Sequence, residues 1–205
     1  PIGSWGLSIE GHHLSLNFVV KDGKLLSFTP SFFGANPAIV HSHVEGGAPV
    51  GTRILDKEEV LAFELLGSLD AEQRRLAVIA EKAPADVRSA GEVQPPQTAP
   101  EGLPGKQLKP EQQKTLEALL HTYLDNMPAE IAESRKDEVA KSGLENAYFA
   151  WAGADKPGIG HYYRVQGPTY LIEFVNVQPD AAGNPANHSH ALWRYLRGDF
   201  DLPVK

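Results

Sequence analysis

The chain has 205 residues, with 19 Lys and Arg against 26 Asp and Glu, a net charge of −7 and no cysteine. The lack of cysteine excludes disulfides, thiolate metal sites and cysteine nucleophiles. The acidic balance, with its basic residues scattered along the chain, argues against nucleic acid or anionic lipid as a partner.

No apolar run approaches the ~20 residues of a membrane helix, and no basic stretch followed by an apolar one marks a leader. Position 1 is Pro, so a processed or trimmed chain is expected.

Taken in order, Leu14-Ser-Leu-Asn-Phe-Val-Val20 alternates apolar with polar and predicts a strand with Leu14, Leu16, Phe18 and Val20 on one face. Lys21-Asp-Gly-Lys24 is a turn, and Leu25 to Thr29 begins a partner strand. Phe32 to Pro37 is then expected to leave the ladder, and His41 to Gly51 to be irregular. Asp56-Lys-Glu-Glu59 has capping-box spacing before the apolar stripe Val60, Leu61, Phe63, Leu65 and Leu66. A second helix is expected from about Ser68 to Ala83, and a third from Leu108, with Pro110 at its first turn and Leu116, Leu119, Leu120, Tyr123 and Leu124 on one side.

Residues 83–107 are rich in proline and read as a surface loop that either wraps the body or links two parts. A polar helix over 128–143 and an apolar segment over 144–151 follow. Three further strands are predicted at His161–Val165, Thr169–Val177 and His188–Arg194. Neither strand set makes a sheet by itself. The expected fold is therefore one α+β domain over residues 1–205, a mainly antiparallel sheet formed from both chain ends with helices packed on one side.

His188 and His190 lie two apart on a strand and so present two imidazoles to one side. His12 and His13 open the first predicted strand, with His13 on the polar face and His12 toward the core end. Glu173 shares its strand parity with Leu171, Val175 and Val177, and a carboxylate on such a face needs a partner or a cation. Its alternatives are a salt bridge to Arg164 or Arg194, or membership with His13, His188 and His190 in a carboxylate-histidine cluster suited to zinc, iron or copper. The candidate ligands are thus His12, His13, His188 and His190, with Glu173 for proton transfer and Arg164, on one face with Tyr162, for gripping substrate. Trp5, Trp151 and Trp193 serve either a ligand wall or the core. His41-Ser-His43 falls in a loop where the two-residue period need not hold, and His121 carries little weight.

The segments Gly11–Phe18, Thr29–Pro37, His161–Pro168 and Asn187–Arg194, with Leu69–Gln73 and Phe149–Gly153, resemble those of a bacterial family catalogued as domain of unknown function 3500. The resemblance covers almost the whole chain and brings no activity with it. It implies a substantial helical region before Gly11-His-His13, hence a longer precursor or a partner chain, and favours a periplasmic or extracellular location. Members commonly have an acid after the tryptophan-arginine pair, where this chain has Tyr195. Two functions stay open: a metal-binding protein, as a hydrolase or oxidoreductase of a small substrate, or a non-catalytic domain that binds a small ligand or protein.

Overall fold

The computed structural model of the chain describes residues 2–204. Its strands are β1 (Ser4–Gly11), β2 (Leu14–Lys21), β3 (Lys24–Ser27), β4 (Ser31–Ala35), β5 (Val78–Ala80), β6 (Leu103–Pro104), β7 (Tyr148–Gly153), β8 (His161–Gln166), β9 (Tyr170–Gln178) and β10 (His188–Tyr195). The helices are α1 (Asp56–Ser68), α2 (Ala71–Ala77), α3 (Pro110–Leu124) and α4 (Ala129–Ser142). One sheet runs in the order β1-β2-β4-β10-β9-β8-β7-β5, with β3 on β2 and β6 on β7. All pairs are antiparallel except β5 with β7. The expected α+β sheet, built from both chain ends with helices on one side, is what forms.

The predicted hairpin closes at Asp22-Gly23, where φ values of 50° and 80° give the left-handed pair that a two-residue turn between twisted strands requires. Two expectations near it need correction. The sheet starts before residue 14, because β1 pairs with β2 along its whole length, from Ser4 opposite Lys21 to Gly11 opposite Leu14. His12 and His13 are therefore the turn of this hairpin and do not open a strand. Residues 32–37 were expected to leave the ladder, but Ser31–Ala35 stands inside it as β4, bonded to β2 and β10. The flanking prolines 30 and 37 lie outside the paired residues, so they bound this strand without interrupting it.

Register gives the sheet two different faces. Phe149, Trp151, Tyr163, Ile172, Phe174 and Trp193 face α1 and α3, where Leu65, Leu66, Leu116, Leu119 and Leu120 complete the main core. Each such side chain contributes about 1.5–3 kcal/mol on burial. Tyr162, Val175 and Leu192 form a smaller cluster on the other face with Val87 and Ala152. That face is covered by the proline-rich segment, so the segment wraps the sheet.

The helices also depart from expectation in detail. The capping box expected at Asp56–Glu59 is not made: Leu55 precedes α1 at φ 58° with no side-chain cap, and Glu59 turns into the interior. The reciprocal box forms one helix later, between Asp70 and Gln73. That helix stops at Ala77, short of residue 83, because Val78–Ala80 joins the sheet edge. α3 has its proline in the first turn, and α4 ends at Gly143, whose φ is 73°.

Candidate metal centre

The hairpin turn β1–β2 brings His13 beside the start of β10. There His188 and His190 share a face, and a register shift places His188 opposite Gln178 but Ser189 opposite Asn176. Irregularities of this kind re-aim side chains. The Nε2 atoms of His13 and His188 lie 2.8 Å apart, and those of His188 and His190 3.2 Å. Among the described residues these three side chains form a group whose ligand atoms all lie within 4.8 Å of one another. Three imidazoles bound to one tetrahedral ion at ~2.0–2.1 Å would hold their nitrogens about 3.3 Å apart, close to the 3.2 Å between His188 and His190 and wider than the 2.8 Å between His13 and His188.

The outer contacts suit the same use. His190 Nδ1–H donates to Asp86 Oδ1 at 2.8 Å, so that in the neutral ring the free lone pair is on Nε2, which faces its neighbours. The Asn36 amide stands 3.5 Å from His188 Nδ1. Gly34 pairs with His190 across β4 and β10, its N–H donates to the carbonyl of His13 at 2.9 Å, and its lack of a side chain makes room for both rings. Burial first, then the neighbouring imidazoles, pushes His13 and His188 below the ordinary 6.5, with Asp86 opposing the shift at His188. Both are thereby held in the neutral form that binds metal.

A cleft of about 360 Å³ adjoins His190 and Asp86, with Phe32, Leu192 and Arg194 in its wall. His12 also lines it. Its ring centroid lies 4.5 Å from that of His13, but it stays exposed and outside the three-imidazole group.

A family model described as protein of unknown function (DUF3500) matches residues 1–202. The chain belongs to that family. No curated protein and no solved structure matches it.

In this DUF3500 chain the remaining candidates hold the covering segment. Glu173 does share a face with Val175, but it stands outside the imidazole group and is bonded to neither Arg164 nor Arg194. Its Oε1 accepts from Tyr162 Oη at 2.7 Å and the Arg88 N–H at 2.8 Å; its Oε2 accepts from the N–H of Ser89 at 3.1 Å and from the Ser89 hydroxyl. The register explains this: Glu173 faces Leu192, two residues beyond His190 on β10. Arg164, on one face with Tyr162 as expected, donates to Thr98 Oγ1 at 3.3 Å and to Gln166 Oε1. Arg194 donates to Asp199 at 2.7 Å and to the carbonyls of Ser89 and Glu92.

Two of the three tryptophans follow the core reading. Trp151 and Trp193 are core, 1% exposed, whereas Trp5 is exposed on β1. His41 and His43 are solvated loop. His161 is fully buried against Trp151 and Phe174, with Nδ1–H donated to the carbonyl of Ile159. Tyr195, where the resemblance expects an acid, donates to Glu138 at 3.0 Å and lies under the Arg135 guanidinium. No helix of the described residues is long and apolar enough to cross a membrane.

Sequence reasoning missed Asp86, Asn36 and Gly34. Asp86 sat in a segment read by its prolines, and Gly34 in one read as leaving the sheet. Only folding brings either to the histidines.

Proposed function

We propose that His13, His188 and His190 bind one divalent transition metal ion through their Nε2 atoms, and that the DUF3500 chain is a metal-dependent enzyme acting on a small substrate in the adjoining cleft. The observation that carries this reading is the convergence of three imidazole nitrogens while Asp86 fixes the tautomer of His190 from outside. Neutral imidazoles without thiolate suit zinc, iron or copper. Zinc suits the set best, since three histidines with an open fourth position form the pattern in which a bound water would be brought to a pKa near ~7. The reaction class is hydrolysis of a small substrate, for which a bound ion would supply the activated water while the chain's own residues would hold the ion, shape the cleft and exclude bulk solvent along Phe32 and Leu192.

Neither Glu173 nor Arg164 is assigned a chemical step in this reading. The oxygens of Glu173 are taken by donors of the covering segment and by Tyr162, and Arg164 is buried with its Nη2 donating to Thr98 and Gln166.

Elemental analysis after purification in metal-replete buffer tests the reading. About one transition metal per chain is expected, lost in the His188→Ala/His190→Ala double variant while its far-ultraviolet circular dichroism is unchanged. A wild-type content near zero, or undiminished affinity in the double variant, would reject it.

A further inference from the structure

We propose that Asn176 is the positioning residue for His188, acting from the face of the sheet opposite the imidazoles and tying the metal centre to Glu59 of α1. The inference rests on the metal reading above and adds to it a residue that touches neither ion nor substrate.

At the register shift the backbone N–H of His188 donates to Asn176 Oδ1 at 3.1 Å. The other end of the same amide donates from Nδ2 to Glu59 Oε1 at 2.9 Å. Glu59 in turn accepts from Arg53 Nη2 at 2.8 Å through Oε2, and its Oε1 lies 3.2 Å from Nε2 of His161. Asn176, Glu59 and His161 are 2%, 7% and 0% exposed, so water does not compete for these groups.

The chemistry leaves one orientation for the amide. An ionised carboxylate only accepts, so the NH₂ end must face Glu59 and the oxygen is left for His188. Burial alone would raise the pKa of Glu59, but the neighbouring His161 ring, the hydrogen bond from Asn176 and the Arg53 guanidinium outweigh it, and the group is held low. Asn176 is thus clamped at both ends, and His188 inherits a fixed backbone where regular pairing with β9 has slipped. The fit is specific to asparagine: aspartate would set two carboxylates against each other, and alanine would leave the His188 N–H without a partner and remove one of the donors to Glu59.

The test measures Zn²⁺ affinity by competition with a chromogenic chelator and reads ligand geometry from the visible spectrum of the Co²⁺-loaded protein. Asn176→Ala is expected to bind Zn²⁺ about 10-fold more weakly and to change the Co²⁺ spectrum. Leu119→Ala, in the α3 core, should lower the melting temperature yet leave affinity and spectrum within about twofold of wild type. Glu59→Leu should weaken binding about 3- to 10-fold, and Glu59→Gln, which keeps an oxygen for Asn176, should return it to within about twofold. Wild-type affinity and spectrum in a folded Asn176→Ala protein would overturn this inference and leave the metal reading standing. If that variant does not fold, equal affinities for Glu59→Leu and Glu59→Gln overturn it instead. A wild-type protein that binds neither Zn²⁺ nor Co²⁺ would remove the metal reading and this inference together.

Discussion

A methyl group at residue 34 would stand 2.8 Å from Cδ2 of His13 and 3.1 Å from Cδ2 of His190. The space that glycine leaves is therefore occupied by two of the three rings. Gly34→Ala is expected to cost about 1–3 kcal/mol of stability through overpacking and to weaken metal binding by at least about 10-fold as both rings shift. Chemical denaturation and a metal titration read the two effects separately, and wild-type affinity in the variant would show that the rings do not depend on that floor. The pH dependence follows from the same rings. His13 and His188 have folded-state pKa values below 6.5, so the metal-free protein retains their full contribution above the unfolded value and loses it as pH falls through the folded ones. Its melting temperature should be flat above about pH 7 and fall below about pH 6.5, with a shallower fall in His13→Ala. A steeper fall in that variant would reverse the sign. At this scale the sequence showed His188 and His190, because strand geometry makes residues two apart neighbours. It could not show Asp86 or Asn36, whose contacts to those rings span 104 and 152 residues.

Among the elements, the covering segment is the one whose role the sequence left undecided, and a single buried carboxylate decides it. Glu173 takes the backbone N–H groups of Arg88 and Ser89, the Ser89 hydroxyl and the Tyr162 hydroxyl, and so fixes the chain two residues after Asp86. Period-two reasoning correctly put this acid on the face with Val175. It then sought a metal or an arginine for it, since hydrogen-bond donors from a loop 84 residues away leave no mark in a local pattern. Glu173→Gln keeps the volume but turns an NH₂ group toward N–H donors. We expect a loss of about 2–4 kcal/mol, faster amide exchange over residues 86–92, and weaker metal binding because Asp86 is released. Hydrogen exchange with unchanged protection at Arg88 and Ser89 would contradict this placement of Glu173. β4 shows the same limit: Ser31–Ala35 is short and bounded by Pro30 and Pro37, so its central place in the sheet depends on partners at β2 and β10 that local patterning does not name.

For the whole molecule, a metal at this site would join its first hairpin to its last strand. β1 is exposed along its length, and β2 meets β4 only at Leu14–Phe33, Ser15–Phe32 and Leu16–Ser31. The hairpin is thus joined to the rest of the sheet through three residue pairs of β2, while β8 and β9 are buried nearly throughout. An ion held by His13, His188 and His190 adds a bond between residues 175 apart in sequence, at the tip of that hairpin. Metal at about 1,000 times its dissociation constant stabilises the folded state by roughly 4 kcal/mol, or roughly 8–16 °C in melting temperature for a domain of this size. Two features separate this from general ligand stabilisation. His13→Ala should remove most of the shift although His188 and His190 remain, because two imidazoles hold an ion far more weakly than three. Metal should also slow amide exchange around Gly11–Leu16 more than in β8 or β9, whose burial leaves global unfolding as the expected route of exchange. If added Zn²⁺ protects all strands equally, or raises the melting temperature of His13→Ala as much as that of the wild type, then the ion is bound elsewhere and the two chain ends are held by packing alone.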